Sequence, residues 1–177
     1  GKCVAPGKCE CQAGFSGLAC DVCKAGVCLS NPNTDTWVRA AGSNLSGVAV
    51  DAARGLGYVS TWTSPASLLT VRLSDMSPVT SVSLAKQLGE GRVRVLLLDG
   101  SRGLLYAATY AKPARVVKMA VGASDDEMRR VTAVELPHES GIVSGVLDED
   151  GAYGFFGTYT SPGVIARVEL ETGREPR

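Results

Sequence analysis

The chain has 177 residues, 45% hydrophobic and 20% charged, which is enough apolar mass for a globular core. Eighteen basic residues balance eighteen acidic ones, so no single-sign field is on offer to nucleic acid or to an anionic membrane surface. The longest apolar runs, such as 95–98, are too short to cross a bilayer, and no membrane insertion is expected in this segment.

All six cysteines lie in the first 28 residues, at Cys3, Cys9, Cys11, Cys20, Cys23 and Cys28. A stretch this short cannot build a hydrophobic core of its own and needs covalent staples or a metal. Thiolates one and two residues apart can converge on zinc. Gly14 and Gly17, on either side of Phe15 and Ser16, instead favour a sharp turn between bridged cysteines.

The stretch "GKCVAPGKCECQAGFSGLAC" resembles the second half of an epidermal-growth-factor-like module, and "CDVC" resembles the extra loop of the laminin-type variant. That resemblance implies disulfides Cys11–Cys20 and Cys23–Cys28. Two earlier cysteines of the usual module are missing, so Cys3 and Cys9 have either lost upstream partners or pair with each other. The departure implies that the sequence begins inside a module. Bridges at this density imply an oxidising, extracellular setting. A composition shift at "LSNPNTDT" sets the expected boundary, with a disulfide-rich module over 1–30 and a second domain over 31–177.

Asn44-Leu45-Ser46 is a glycosylation sequon in a polar turn, which makes Asn44 a candidate glycan site. From there the chain repeats itself. Units begin near 47, 94 and 143, and Asp51, Asp99 and Asp148 correspond at separations of 48 and 49. So do Thr61, Thr109 and Thr158; Trp62, Tyr110 and Tyr159; and Pro65, Pro113 and Pro162.

Each unit opens with an apolar run (48–50, 95–98, 143–147) that ends in Asp and a Gly-containing turn. A second run alternates. One face carries Tyr58, Ser60 and Trp62, then Tyr106, Ala108 and Tyr110, then Phe155, Gly157 and Tyr159. This large–small–large pattern predicts packing between stacked sheets. Third runs follow at 68–73, 116–121 and 164–170, and fourth runs at 79–84 and 131–136. Helical periodicity is absent. The fold class expected is all-β, with about three four-stranded antiparallel blades of β-propeller type. The segment 37–40 falls where a fourth strand would precede the first unit, and the last unit stops after its third strand. Three blades fall short of the four or more that usually close a propeller, which leaves apolar faces to be covered by more chain or by other copies.

No catalytic constellation stands out. His138 is the sole histidine and lies in "LPHES", which reads as a loop. "DEDG" at 148–151 resembles the start of a calcium loop but lacks the later oxygen ligands, and its counterparts "DAARG" and "DGSRG" read as hairpin turns. The aromatic pairs could stack on a sugar, but their recurrence favours packing. No cofactor and no enzymatic activity are expected. The unit "FFGTYTSPGVIARVEL" resembles repeats in secreted algal and stramenopile proteins that join such cysteine-rich modules to propeller-type repeats, among them mastigoneme (flagellar hair) subunits. The resemblance implies a non-catalytic glycoprotein of the cell or flagellar surface that assembles with copies of itself or related subunits. A receptor or adhesion ectodomain binding a protein or glycan is the alternative, and a propeller enzyme ranks last.

Overall fold

A computed structural model describes the backbone of residues 2–5, 8–10, 15–16 and 22–23, and the chain over 44–122, 124 and 127–171. Two compact units are present, Gly1–Arg39 with Asp75–Ser77, and Ala40–Ser74 with Pro78–Arg177. The first holds two small antiparallel pairs. Strand β1 (Lys2–Ala5) pairs with β2 (Lys8–Glu10), and β3 (Phe15–Ser16) pairs with β4 (Val22–Cys23). The β1–β2 register sets Cys3 opposite Cys9. The expected bridges Cys11–Cys20 and Cys23–Cys28, and the expected strand at 37–40, involve positions outside the described residues.

The second unit is three antiparallel sheets. The first runs β5 (Leu45–Asp51), β6 (Leu56–Thr61), β7 (Ser67–Arg72) and β8 (Pro78–Ser83), each strand beside the next. The second repeats the order with β9 (Val93–Asp99), β10 (Leu104–Thr109), β11 (Ala114–Val121) and β12 (Met128–Leu136). The third has β13 (Ile142–Leu147), β14 (Tyr153–Thr158) and β15 (Ile165–Glu169). One 3-10 turn, Lys86–Leu88, lies between the first two sheets. The opening strand β9 adjoins both β5 and β13, so the sheets neighbour one another along their opening strands.

The predicted runs match these strands in place; 48–50, 95–98, 116–121, 131–136 and 143–147 fall short in length, 68–73 and 79–84 are shifted by one residue, and 164–170 extends past both ends of β15. Strand β5 begins at Leu45 rather than 48, because Ser46 and Gly47, though not apolar, pack against the next sheet. The Ser46 hydroxyl bonds the Val93 carbonyl, and a Cβ on Gly47 would lie 3.0 Å from the carbonyl oxygen of Arg94.

Burial follows from the stacking. Leu56, Tyr58 and Leu68 of the first sheet pack on Leu105, Val117 and Met119 of the second. On the second sheet's other side, Tyr106, Val116 and Val134 pack on Phe156, Val168 and Leu170 of the third. The middle sheet is therefore covered on both faces. This is why its strands read "VRVLLLD", "LLYAAT" and "ARVVKMAV", nearly continuous in apolar residues, as two-sided burial requires.

Candidate functional site

The repeated residues cluster at the two ends of the strands. At one end stand the turns between second and third strands. Thr61 accepts from the Ser67 amide at 2.8 Å, Thr109 from the Arg115 amide at 2.9 Å, and Thr158 from the Val164 amide at 3.1 Å. The hydroxyl thus satisfies the amide that leads into each third strand. In the first and third units a second threonine extends the arrangement: Thr63 and Thr160 each bond back to that hydroxyl and donate 2.8 Å to the carbonyl of Pro65 or Pro162. Pro65, Pro113 and Pro162 all follow cis peptide bonds. The aromatic next to each threonine is tied by its own amide: Trp62 to the Asn44 carbonyl, Tyr110 to that of Arg92, and Tyr159 to that of Gly141.

The aromatic positions fare differently along the stack. Tyr58 and Tyr106 are buried between sheets. The rings of Trp62 and Tyr110 meet with centroids 5.1 Å apart at 47°, and the Arg94 guanidinium lies 5.7 Å from the Trp62 ring centre. Gly141 supports this end of the stack. Its φ of 62° suits glycine, and a Cβ there would come within 3.2 Å of the Tyr110 ring. Phe155, in the third sheet, and Tyr159, just past the end of β14, are exposed.

At the opposite end are the Asp turns. Asp51 and Asp99 each accept the backbone amide of the arginine three residues on, at 3.1 Å, and pair with its side chain. Asp148 accepts the Tyr153 amide at 3.0 Å. The arginines do more than close the hairpins expected from "DAARG" and "DGSRG". Arg54 donates to the carbonyls of Val121 and Gly122 in the second unit, at 3.1 and 3.2 Å. Arg102 donates 2.9 Å to the Asp150 carbonyl and 3.1 Å to the Glu171 carboxylate in the third. Each arginine therefore bridges its own turn to the following sheet. Burial works to raise the Asp99 carboxyl, but hydrogen bonds from Ser101 and Arg102 prevail and hold it below the usual carboxylate value. The Arg102 guanidinium is pushed up by its bond to Asp99.

A cleft of about 350 Å³ opens here between the Asp99 and Asp148 turns, walled by Asp99, Ser101, Asp148, Glu149 and Asp150. Nearby, the Tyr106 hydroxyl is buried without a hydrogen-bond partner, and burial raises its pKa.

One clamp had no repeat to announce it. The Glu90 carboxylate, fully buried, receives three hydrogen bonds from the Arg130 guanidinium at 2.5 to 3.1 Å and a fourth from the Ala85 amide at 3.1 Å. It ties the connection between the first two sheets to β12. The hydrogen bonding of Arg130 to Glu90 raises the Arg130 pKa.

His138 lies in an exposed turn. Asn44 is exposed, while the hydroxyl of Ser46, the third residue of its sequon, is bonded to Val93 and close to Ser60. Among the described residues no group of three or more His, Cys, Asp or Glu side chains is placed to hold a metal ion, and no helix is long and apolar enough to cross a membrane.

No family model matches the chain, and no curated protein matches it. Solved structures do. A chain from a nidogen/laminin complex is similar at a TM-score of 0.59 and 14% identity, over 81% of this chain and 50% of that one. A Bacteroides fragilis protein assigned as a 6-phosphogluconolactonase is similar at 0.64 and 15%, over 80% of this chain and 39% of its own. BamB from Moraxella catarrhalis is similar at 0.53 and 14%, over 81% and 40%. The chain spans half or less of each of these structures. At such identities the likeness is one of fold: the three sheets are repeats of β-propeller type.

Proposed function

We propose that this chain is a non-catalytic interaction and assembly segment of an extracellular surface protein. One observation carries the reading. Large apolar side chains, Val48 and Val50 on the first sheet and Val146, Phe155 and Ile165 on the third, face solvent at the two ends of the stack. Contiguous exposed apolar surface on a soluble fold is a mark of interaction sites. The similar fold in a nidogen/laminin complex supports a role in protein binding. The cysteine-dense start supports an oxidising location, and the exposed Asn44 supports a glycan there. The narrower form of the proposal is a building block of a surface filament such as a flagellar hair, favoured by the repeat unit described above.

Immunogold labelling of intact source cells with antibody against residues 44–171 tests this. Label along external filaments or the outer surface supports it, and label confined to the cell interior overturns it. Turnover of a sugar-phosphate lactone by the purified chain would overturn the non-catalytic part. A receptor-like role is favoured by a separate observation, the acidic cleft between the Asp99 and Asp148 turns, which suits a basic segment of a partner protein. Loss of partner capture on charge reversal at Glu149 and Asp150 would establish it.

A further inference from the structure

Residues that recur in every unit serve the fold, and residues that break the repeat at an unchanged backbone position have another reason to be there. The clearest break lies at the threonine–proline end of the strands. Arg92, Arg94 and Lys112 are exposed cations of the second unit. Their counterparts are Asn44, Ser46 and Ser64 in the first unit and Gly141, Val143 and Ser161 in the third, all uncharged. The backbone arrangement is the same throughout: the carbonyls of Asn44, Arg92 and Gly141 accept the amides of Trp62, Tyr110 and Tyr159 in turn. The fold is therefore made without the charges. At Arg92 it is made against the side chain, because φ there is 52°, a left-handed backbone that Gly141 adopts freely at 62° and that an arginine adopts only at a cost.

The three cations gather about the Trp62–Tyr110 ring pair. The Arg92 amide donates 2.7 Å to the carbonyl of Thr63, next to Trp62, and the Arg92 carbonyl accepts the Tyr110 amide at 2.8 Å. The Arg94 guanidinium lies over the Trp62 ring, and Lys112 follows Tyr110 by two residues. Among the described residues none of the three makes an ion pair. The carboxylate closest in sequence, Glu90, is buried and taken up by Arg130. Trp62 and Tyr110 are half-buried, so part of each ring is open to solvent.

We infer that this surface binds an acidic polysaccharide, with Arg92, Arg94 and Lys112 on its carboxylate or sulfate groups and a sugar ring seated on Trp62 and Tyr110. Guanidinium donors match the paired oxygens of such groups, and the C–H face of a pyranose suits an aromatic ring. A peptide strand would need backbone partners, and here the amides of Trp62, Arg92 and Tyr110 are already bonded within the chain. With no net charge on the chain, capture comes from this local cluster rather than from a long-range field. The inference takes from the proposed function only its extracellular setting.

The test is calorimetric titration of the purified chain with a heparin oligosaccharide and an oligogalacturonate, beside neutral dextran and polyglutamate. Trp62 emission is followed in a Trp37→Phe background, where it is the sole tryptophan. At least one acidic oligosaccharide is expected to bind and to change that emission, with dextran and polyglutamate weaker by about tenfold or more. Arg92→Gly, Arg94→Val and Lys112→Ser install the third unit's residues in the second. Each should weaken binding about three- to tenfold, and the triple variant about a hundredfold or more. Arg92→Gly should also melt no lower than the unaltered chain, since it relieves the left-handed backbone, whereas a residue kept for stability alone would melt lower when replaced. Arg129→Gln removes an exposed cation from β12 and should bind as before. Circular dichroism checks folding, and Arg94→Gln replaces Arg94→Val if the sheet signal is lost. The inference is overturned if neither acidic oligosaccharide binds, if the triple variant binds unchanged, or if polyglutamate binds more tightly than both. Absent binding with label on external surfaces would leave the proposed function standing, whereas binding by a chain found only inside cells would remove that function and leave the site.

Discussion

Glu90 and Arg130 offer the sharpest test of what holds two neighbouring sheets together. Replacing Arg130 by Met keeps most of the side-chain volume and removes three of the four hydrogen bonds on a carboxylate that is 0% exposed. Removing one partner of a buried ion pair costs about 3–5 kcal/mol, because the remaining charge stays desolvated and unpaired. Arg130 itself is 32% exposed, so water can reach the vacated side, and the low end, about 3 kcal/mol, is expected. For a domain of this size that lowers Tm by about 6–12 °C. The control is Glu90→Leu combined with Arg130→Met. It removes both charges, so the unpaired carboxylate disappears, and the double variant should be more stable than Arg130→Met alone. Thermal melts by circular dichroism and urea titrations at neutral pH measure all three proteins. A melting temperature within about 2 °C of the unaltered chain for Arg130→Met, or a double variant no better than the single, would refute the reasoning.

Four further outcomes can be measured. Asp99 has a depressed folded-state pKa, so its contribution is full above the unfolded value of about 3.9 and fades as pH falls through the folded one. Arg102→Ala should therefore flatten the pH dependence of stability in that acid window, read from melts at stepped pH. Tyr106→Phe removes a buried hydroxyl that has no partner and should leave urea stability unchanged or raise it by up to about 1 kcal/mol, whereas Tyr106→Ala should cost about 3–5 kcal/mol. Thr109→Val strands the Arg115 amide and should cost about 1–3 kcal/mol in the same assay. If the six cysteines are bridged, intact mass rises on reduction by one pair of hydrogens per bridge, and bound zinc with free thiols would show that the segment is held by metal.

The parts of this architecture that were legible in the sequence share one property: their partners are close by in the chain. Asp51 caps a turn three residues long, and Thr61 reaches an amide six residues on. A local job must be done again in every unit by the same residue type, so it surfaces as a column at a period of 48 or 49. The strands were legible for the same reason, since hairpin partners are adjacent. What crosses from one sheet to the next leaves no such trace. The Arg54 bond to Val121 spans 67 residues and the Glu90–Arg130 pair spans 40. "DAARG" and "DGSRG" did carry a hint, because a hairpin needs its Asp and Gly but has no need of the recurring arginine.

The end faces show why period-two alternation alone could not decide what surrounds the stack. Alternation reports that a strand has two sides; it is blind to whether a neighbour occupies either. Val116 and Ile165 are equivalent in the repeat, similar in shape and identical in register, yet one is buried by the third sheet and the other is 79% exposed. The difference lies wholly in what comes next in space. A sequence selected only for a free-standing three-sheet block would gain from a polar residue at 165, since an exposed branched aliphatic adds nothing to folding and invites association. Ile165, Val146 and Phe155 are therefore best understood as half of a packed layer whose other half is supplied from outside the described residues.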